Sequence, residues 1–140
     1  MFSAPSLRNE STLNVSDYRG KVLYLEFWAS WCPSCWDAFP KLEKIRKEFR
    51  EEGLEGLEVI GVNVNDDFAD ALEASNHLRA SFPLVRPDTD EVMHAYGIKA
   101  MPYGVLIDRK GVVRSVYLGL DRLDQRELKI KIRTLLWKGL

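Results

Sequence analysis

Residues 21–29, Lys-Val-Leu-Tyr-Leu-Glu-Phe-Trp-Ala, constrain the fold more than any other stretch. Val22, Leu23, Tyr24, Leu25, Phe27 and Trp28 make an extended chain apolar on both sides, interrupted by Glu26. An alternating strand needs cover on one face. A continuous apolar run needs cover on both, so this strand belongs inside a sheet with helices packed above and below. From Cys35 onward, Phe39, Leu42, Ile45 and Phe49 recur at helical spacing, with Lys41, Glu43, Lys44, Arg46 and Lys47 opposite. Pro40 should kink that helix, and Glu51-Glu52-Gly53 should end it. Leu57 to Val64 is a second apolar strand, which completes a parallel βαβ unit with a right-handed crossover.

The later half reads differently. Phe68 to Ser81 is predicted as a helix with Phe68, Ala71, Leu72 and Leu78 inward, and Phe82 to Val85 as a short extended piece. Asp90 to Tyr96 should form a short helix stopped by Gly97. Tyr103 to Ile107 and Val112 to Leu118 are strands joined by an Asp108-Arg109-Lys110-Gly111 turn, with glycine where positive φ is needed. Arg122 to Trp137 is a last amphipathic helix with Leu128, Ile132, Leu135 and Leu136 inward. Residues 1–20 are predicted as polar loop, ending in a turn at Ser16 to Gly20. The expected class is α/β: a mixed central sheet with helices on both faces. At 140 residues the chain should form one domain, spanning 1–140.

Charge narrows the function. Lysine and arginine number 20 against 21 acids, interspersed, so neither nucleic acid nor an anionic membrane is expected as a partner. No apolar stretch approaches the roughly 20 residues of a membrane span. The segment Met1-Phe2-Ser3-Ala4-Pro5 does not read as a signal peptide. His77 and His94 stand in no ligand-like spacing and are expected to be solvated helix residues; no metal or other cofactor is expected.

The two cysteines carry the chemistry. Cys32 and Cys35 are too few for a disulfide scaffold or a four-ligand zinc site. They fall where the first strand gives way to its helix, with Cys32 at the helix start and Cys35 one turn in. Unpaired backbone N–H groups there favour a thiolate on Cys32. Cys35 should be the more buried, so Cys32 is the expected attacking thiol and Cys35 the resolving one. Trp28 is expected in the core. Trp31 should shield the nucleophile and offer, with Pro33, a contact surface. Disulfide reduction is the leading reading. A disulfide oxidant or isomerase, or a non-enzymatic module holding a metal or haem through the pair, are the alternatives.

The run Glu26-Phe27-Trp28-Ala29-Ser30-Trp31-Cys32-Pro33-Ser34-Cys35, with Pro40 after it, resembles thioredoxins, and in particular the TlpA/ResA-type proteins of bacterial envelopes that include the cytochrome c maturation reductants. Asp17 to Lys21, Gly61 to Asp66, Phe82-Pro83 and Leu106 to Gly111 fit the same pattern, and about 68–96 is similar to that branch's central insert. The resemblance implies a cis bond at Met101-Pro102, with Met101 and Pro102 contacting substrate backbone. It implies that Glu26 moves protons for the inner cysteine, against the plain alternative of a side chain escaping to a sheet edge. Asp66 matches an acid that ResA-like proteins place near the cysteines, against the alternative of a helix N-cap. Tyr103-Gly104 departs from the family pattern, where threonine is common. The resemblance further implies a monomer with disulfide-containing protein substrates and a membrane thiol–disulfide electron donor, in the periplasm or another extracytoplasmic place; a cytoplasmic location is the alternative.

Overall fold

The computed structural model describes residues 2–78 and 80–138. Its core is a five-stranded mixed sheet ordered β5-β4-β3-β6-β7. β3 (Val22–Trp28) is the middle strand and is buried along its whole length. β4 (Leu57–Asn63) runs parallel to it, with Glu26 opposite Gly61. β6 (Tyr103–Ile107) runs antiparallel on the other side, with Glu26 opposite Gly104. β5 (Leu84–Val85) extends the sheet beyond β4, and β7 (Val113–Tyr117) forms a hairpin with β6. Gly111 takes φ 86° in the connecting turn. Asp108 holds that turn by accepting from the Lys110 and Val112 amides, both at 2.9 Å.

Both faces of β3 are covered, as its composition requires. Trp28 packs edge-on against Trp36 of α1 (Pro33–Trp36) and Phe39 of α2 (Ala38–Glu51). Phe27, one residue earlier, points the other way and meets Tyr96 at the end of α4 (Thr89–Ala95). α5 (Arg122–Trp137) shares the α2 face: Lys131 and Glu127 bond Ser115 and Tyr117 of β7. α1 and α2 separate at Asp37. Pro40 has no N–H to offer the Trp36 carbonyl, so the helical ladder breaks there.

Two regions depart from the predicted elements. The stretch predicted as loop contains a small hairpin, β1 (Ser3–Pro5) with β2 (Thr12–Asn14), and a 3₁₀ turn at Val15–Tyr18. Backbone bonds from Leu7 to Leu84 and from Arg86 to Pro5 tie it to β5. Strands this short carry no readable periodicity. α3 spans Phe68–His77, shorter than predicted, and Arg79 within the predicted span lies outside the described residues. Its buried residues are Ala71, Ala74 and Ser75, while Phe68 and Leu72 are exposed. Small residues let the helix approach closely. The Phe68 ring instead lies beneath the Arg86 guanidinium, 5.8 Å from its centroid.

Candidate active site

Cys32 is the N-cap residue of α1, and Cys35 sits in that helix's only complete turn. The loop reaches this position through specific bonds. The Cys32 amide donates to the Ala29 carbonyl at 3.1 Å, and Trp36 Nε1 donates to the same carbonyl at 3.1 Å. The two sulfurs are joined as a disulfide, with Cα atoms 5.4 Å apart. Cys32 is 5% exposed and Cys35 fully buried, the order the helix position predicts. Ser34, which the sequence reading did not single out, has its hydroxyl 3.7 Å from Cys32 Sγ.

Beside Cys32 lies an open groove of about 430 Å³. Trp31, Pro33 and Ser34 form one wall; Met93, Lys99, Ala100 and Met101 form the other. Trp31 is 60% exposed, which is unusual for so large an apolar side chain. The Met101–Pro102 bond is cis, as expected. The structure thus brings Trp31, Cys32, Pro33 and Met101 together, with Pro102 adjoining Met101. Met93 and Lys99 join them from a region read only as helix and loop. A more enclosed hollow of about 390 Å³, lined by Phe2, Tyr96, Ile107 and Val113 among others, contains none of the cysteine-loop residues. The open groove is the one that adjoins the cysteine pair.

A second missed feature is a polar network that fixes the loop before the cysteines. Asn65 Oδ1 accepts from the Ser30 amide and from Asn63 Nδ2, both at 2.9 Å. Asn65 Nδ2 donates to Ser30 Oγ at 2.7 Å, and the Asn65 amide donates to Asn63 Oδ1 at 2.8 Å. Asn63 and Asn65 are buried. Arg86 Nε and Thr89 Oγ1 close the set on the Asn65 carbonyl. The clue in the sequence was two asparagines ending an apolar strand, which also suits an ordinary loop.

Glu26 is 2% exposed on the central strand, so it has no sheet edge to escape to. Burial pushes its pKa well above the ordinary value, and the nearby Tyr24 hydroxyl only partly offsets this. The two side chains converge over Gly104. A Cβ added there would collide with the Tyr24 hydroxyl and lie 3.0 Å from Glu26 Oε1. Even so, Tyr24 Oη meets no acceptor in good hydrogen-bonding geometry. Asp66 fits neither expectation well. It is exposed and does not line the groove, and the N-cap of α3 is Asp67, which accepts from the Ala69 amide at 2.7 Å. Asp66 instead offers its backbone carbonyl to Arg86 Nη2. His77 and His94 are exposed on their helices, as predicted.

Comparison with known proteins agrees with this geometry. The chain is 30% identical over 105 residues to the thiol-disulfide oxidoreductase ResA of Geobacillus thermodenitrificans, an alignment covering 75% of this chain and 59% of that one. It is 31% identical over 137 residues to the thiol:disulfide interchange protein DsbE of Pseudomonas fluorescens, covering 96% and 73%. It therefore spans about three fifths of the length of the ResA relatives and more of DsbE. Among solved structures, a Chlorobium tepidum chain described as a thiol:disulfide interchange protein DsbE superposes with a TM-score of 0.83 at 30% identity, covering 96% of this chain and 92% of that one. The profile of the AhpC/TSA family matches residues 1–116, and this protein, thioredoxin-like in fold and related to ResA and DsbE, belongs to that family.

Proposed function

We propose that the protein is a thiol–disulfide oxidoreductase that reduces disulfides in other proteins. The observation that carries this is the unequal placement of one bonded pair: Cys32 caps a helix at the mouth of a groove, while Cys35 is sealed beneath it. The reduced Cys32 thiolate attacks a substrate sulfur, and the substrate disulfide breaks as a Cys32 mixed disulfide forms. Cys35 then gives its proton to the Glu26 carboxylate and attacks Cys32 Sγ. The second substrate sulfur leaves as a thiolate, which takes a proton from water, and the pair is left oxidised. Two electrons have passed to the substrate, and a dithiol donor must return them.

Trp31, Pro33, Met101 and Pro102 are assigned to substrate contact, Trp31 and Met101 as the apolar walls of the groove and Pro102 as the turn that presents Met101. Asp66, exposed and outside the groove, is assigned as a candidate acid on sequence resemblance. The same resemblance supports a monomer acting outside the cytoplasm, in cytochrome c maturation or a similar envelope process, with a membrane thiol–disulfide donor. No helix among the described residues is long and apolar enough to cross a membrane.

The test is a pair of variants in an insulin-reduction assay. Cys35→Ser is expected to accumulate a mixed disulfide through Cys32, visible as a thiol-sensitive adduct on a gel. Normal turnover by Cys35→Ser would overturn the mechanism. The reduction potential of the pair gives the direction: reductants lie near about −270 mV and strong oxidants near about −120 mV.

A further inference from the structure

Glu26 can take a proton from Cys35 only while it is ionised. Its surroundings oppose that state. It lies on the middle strand at 2% exposure, and its neighbours across the sheet are Gly61 and Gly104, which have no side chains to offer. The Tyr24 hydroxyl is close enough to favour its ionised form but sits outside good hydrogen-bonding geometry, and among the described residues no cation pairs with it. A carboxylate in such a place needs a donor or it remains protonated.

The polar atom beside it is Tyr24 Oη. Tyr24 is 1% exposed, and its hydroxyl is buried without a partner. Buried hydroxyls without partners are rare in folded proteins, and each one calls for a reason. A second protonation state supplies one. With the cysteines oxidised and Glu26 protonated, the phenol faces only a neutral carboxyl, a weaker acceptor than a carboxylate. Once Glu26 ionises, a strong acceptor appears beside it. The phenol is held in readiness from its other side: its ring lies against Tyr117, centroids 6.3 Å apart, and the Tyr117 hydroxyl donates to Glu127 Oε1 at 3.2 Å. Gly104 makes the arrangement possible, because any larger residue would occupy the hydroxyl's position. This accounts for the glycine that departs from the family pattern: Gly104 and Tyr24 form one unit.

We propose that Tyr24 is a positioning residue for proton transfer, whose hydroxyl donates to Glu26 in its transient ionised state and withdraws when Glu26 is protonated. The proposal rests on the disulfide-exchange reading above. The proton moves from Cys35 Sγ to Glu26 Oε while Tyr24 keeps its own, so the phenol is neutral before and after. Burial, then the adjacent Glu26, raises the Tyr24 pKa well above its ordinary value, which keeps the phenol a donor throughout. The other titratable groups on this side are Tyr117 of β7, Asp124 and Glu127 of α5, and Lys131, which pairs with Glu127 at 3.1 Å. Lys41 of α2 is bonded to the Leu120 carbonyl. Both lysines are engaged elsewhere, so stabilising a charge on Glu26 falls to the phenol.

The experiment compares wild type and Tyr24→Phe in two measurements. In the first, reduced protein is mixed with insulin across the neutral pH range, and the rate of Cys32–Cys35 disulfide formation is followed. Tyr24→Phe is expected to shift the rising limb of this profile to higher pH and to slow the step about three- to tenfold on that limb, with the rate recovering above it. A profile superimposable on wild type, or a slowing equal at every pH, overturns the proposal. In the second, the Glu26 side-chain carboxyl is titrated by NMR in the reduced protein. Its midpoint is expected to rise in Tyr24→Phe, and an unmoved midpoint overturns the proposal. The titration needs no substrate. A wild type that fails to reduce insulin therefore counts against the proposed function while the Tyr24–Glu26 pairing is still decided.

Discussion

Two polar clusters, mostly buried, lie along β3 and β4, and they are built on opposite terms. At the C-terminal ends of these strands, Ser30, Asn63 and Asn65 exchange four hydrogen bonds between them. Farther down β3, Glu26 and Tyr24 sit side by side without one of good geometry. A satisfied network in a low-dielectric interior has one favoured arrangement, so it fixes the loop that carries Cys32. A pair left unsatisfied is not locked in this way, and a hydrogen bond can form when one partner changes its protonation state. On the proposed mechanism, the first cluster serves to hold Cys32 still and the second to let a proton move.

The sharpest division between the clusters and the chemistry they serve comes from Cys32→Ser. It should abolish disulfide exchange, measured by insulin reduction, while leaving both clusters and the thermal transition of the reduced protein nearly unchanged. Asn65→Ala attacks the rigid cluster. It strips the Ser30 amide and Asn63 Nδ2 of their acceptor, and a loss of about 2–4 kcal/mol is expected in urea unfolding. A loss below about 1 kcal/mol would mean the network is not what holds the loop. Gly104→Ala attacks the unsatisfied pair by crowding the Tyr24 hydroxyl, at an expected cost of about 1–3 kcal/mol. Adding Tyr24→Leu should recover most of it, and a purely additive double mutant would break the link between the two residues.

Glu26→Gln should raise stability at neutral pH, by about 1 kcal/mol or somewhat more. The sign follows from the raised pKa. The unfolded chain ionises Glu26 at its ordinary value while the folded protein still holds the proton, so wild-type stability falls as pH climbs from that value toward the folded one, then levels off. The Gln variant lacks this fall. Its advantage over wild type should widen by up to about 1.4 kcal/mol per pH unit within that window, and a constant difference would show that Glu26 is not held protonated. The smallest effect belongs to Tyr24→Phe, expected within about 0.5 kcal/mol of wild type, because the hydroxyl removed has no partner to lose. A cost above about 1.5 kcal/mol would reveal a hydrogen bond in the resting state and collapse the contrast between the clusters.

The sequence by itself determined the elements and the chemistry. A strand apolar on both faces has to be interior, and two cysteines three apart at a strand-to-helix junction have to occupy one helical turn with unequal exposure. These are local facts, decided by periodicity and by the free amides of a helix start, and β3, α5 and the Cys32–Cys35 pair appear where they were read. Tertiary structure decided everything that depends on which distant side chains meet. On α3 it buried Ala74 beside the expected Ala71 and left Phe68 and Leu72 exposed, with the Arg86 guanidinium over the Phe68 ring. It gave the N-cap to Asp67 and left Asp66 exposed. It set Met93 and Lys99 beside Cys32 from more than 60 residues away, and set Gly104 under Tyr24 through the pairing of β3 with β6. No periodicity records such meetings, since each depends on the strand register and on volumes that exist only once the chain has packed.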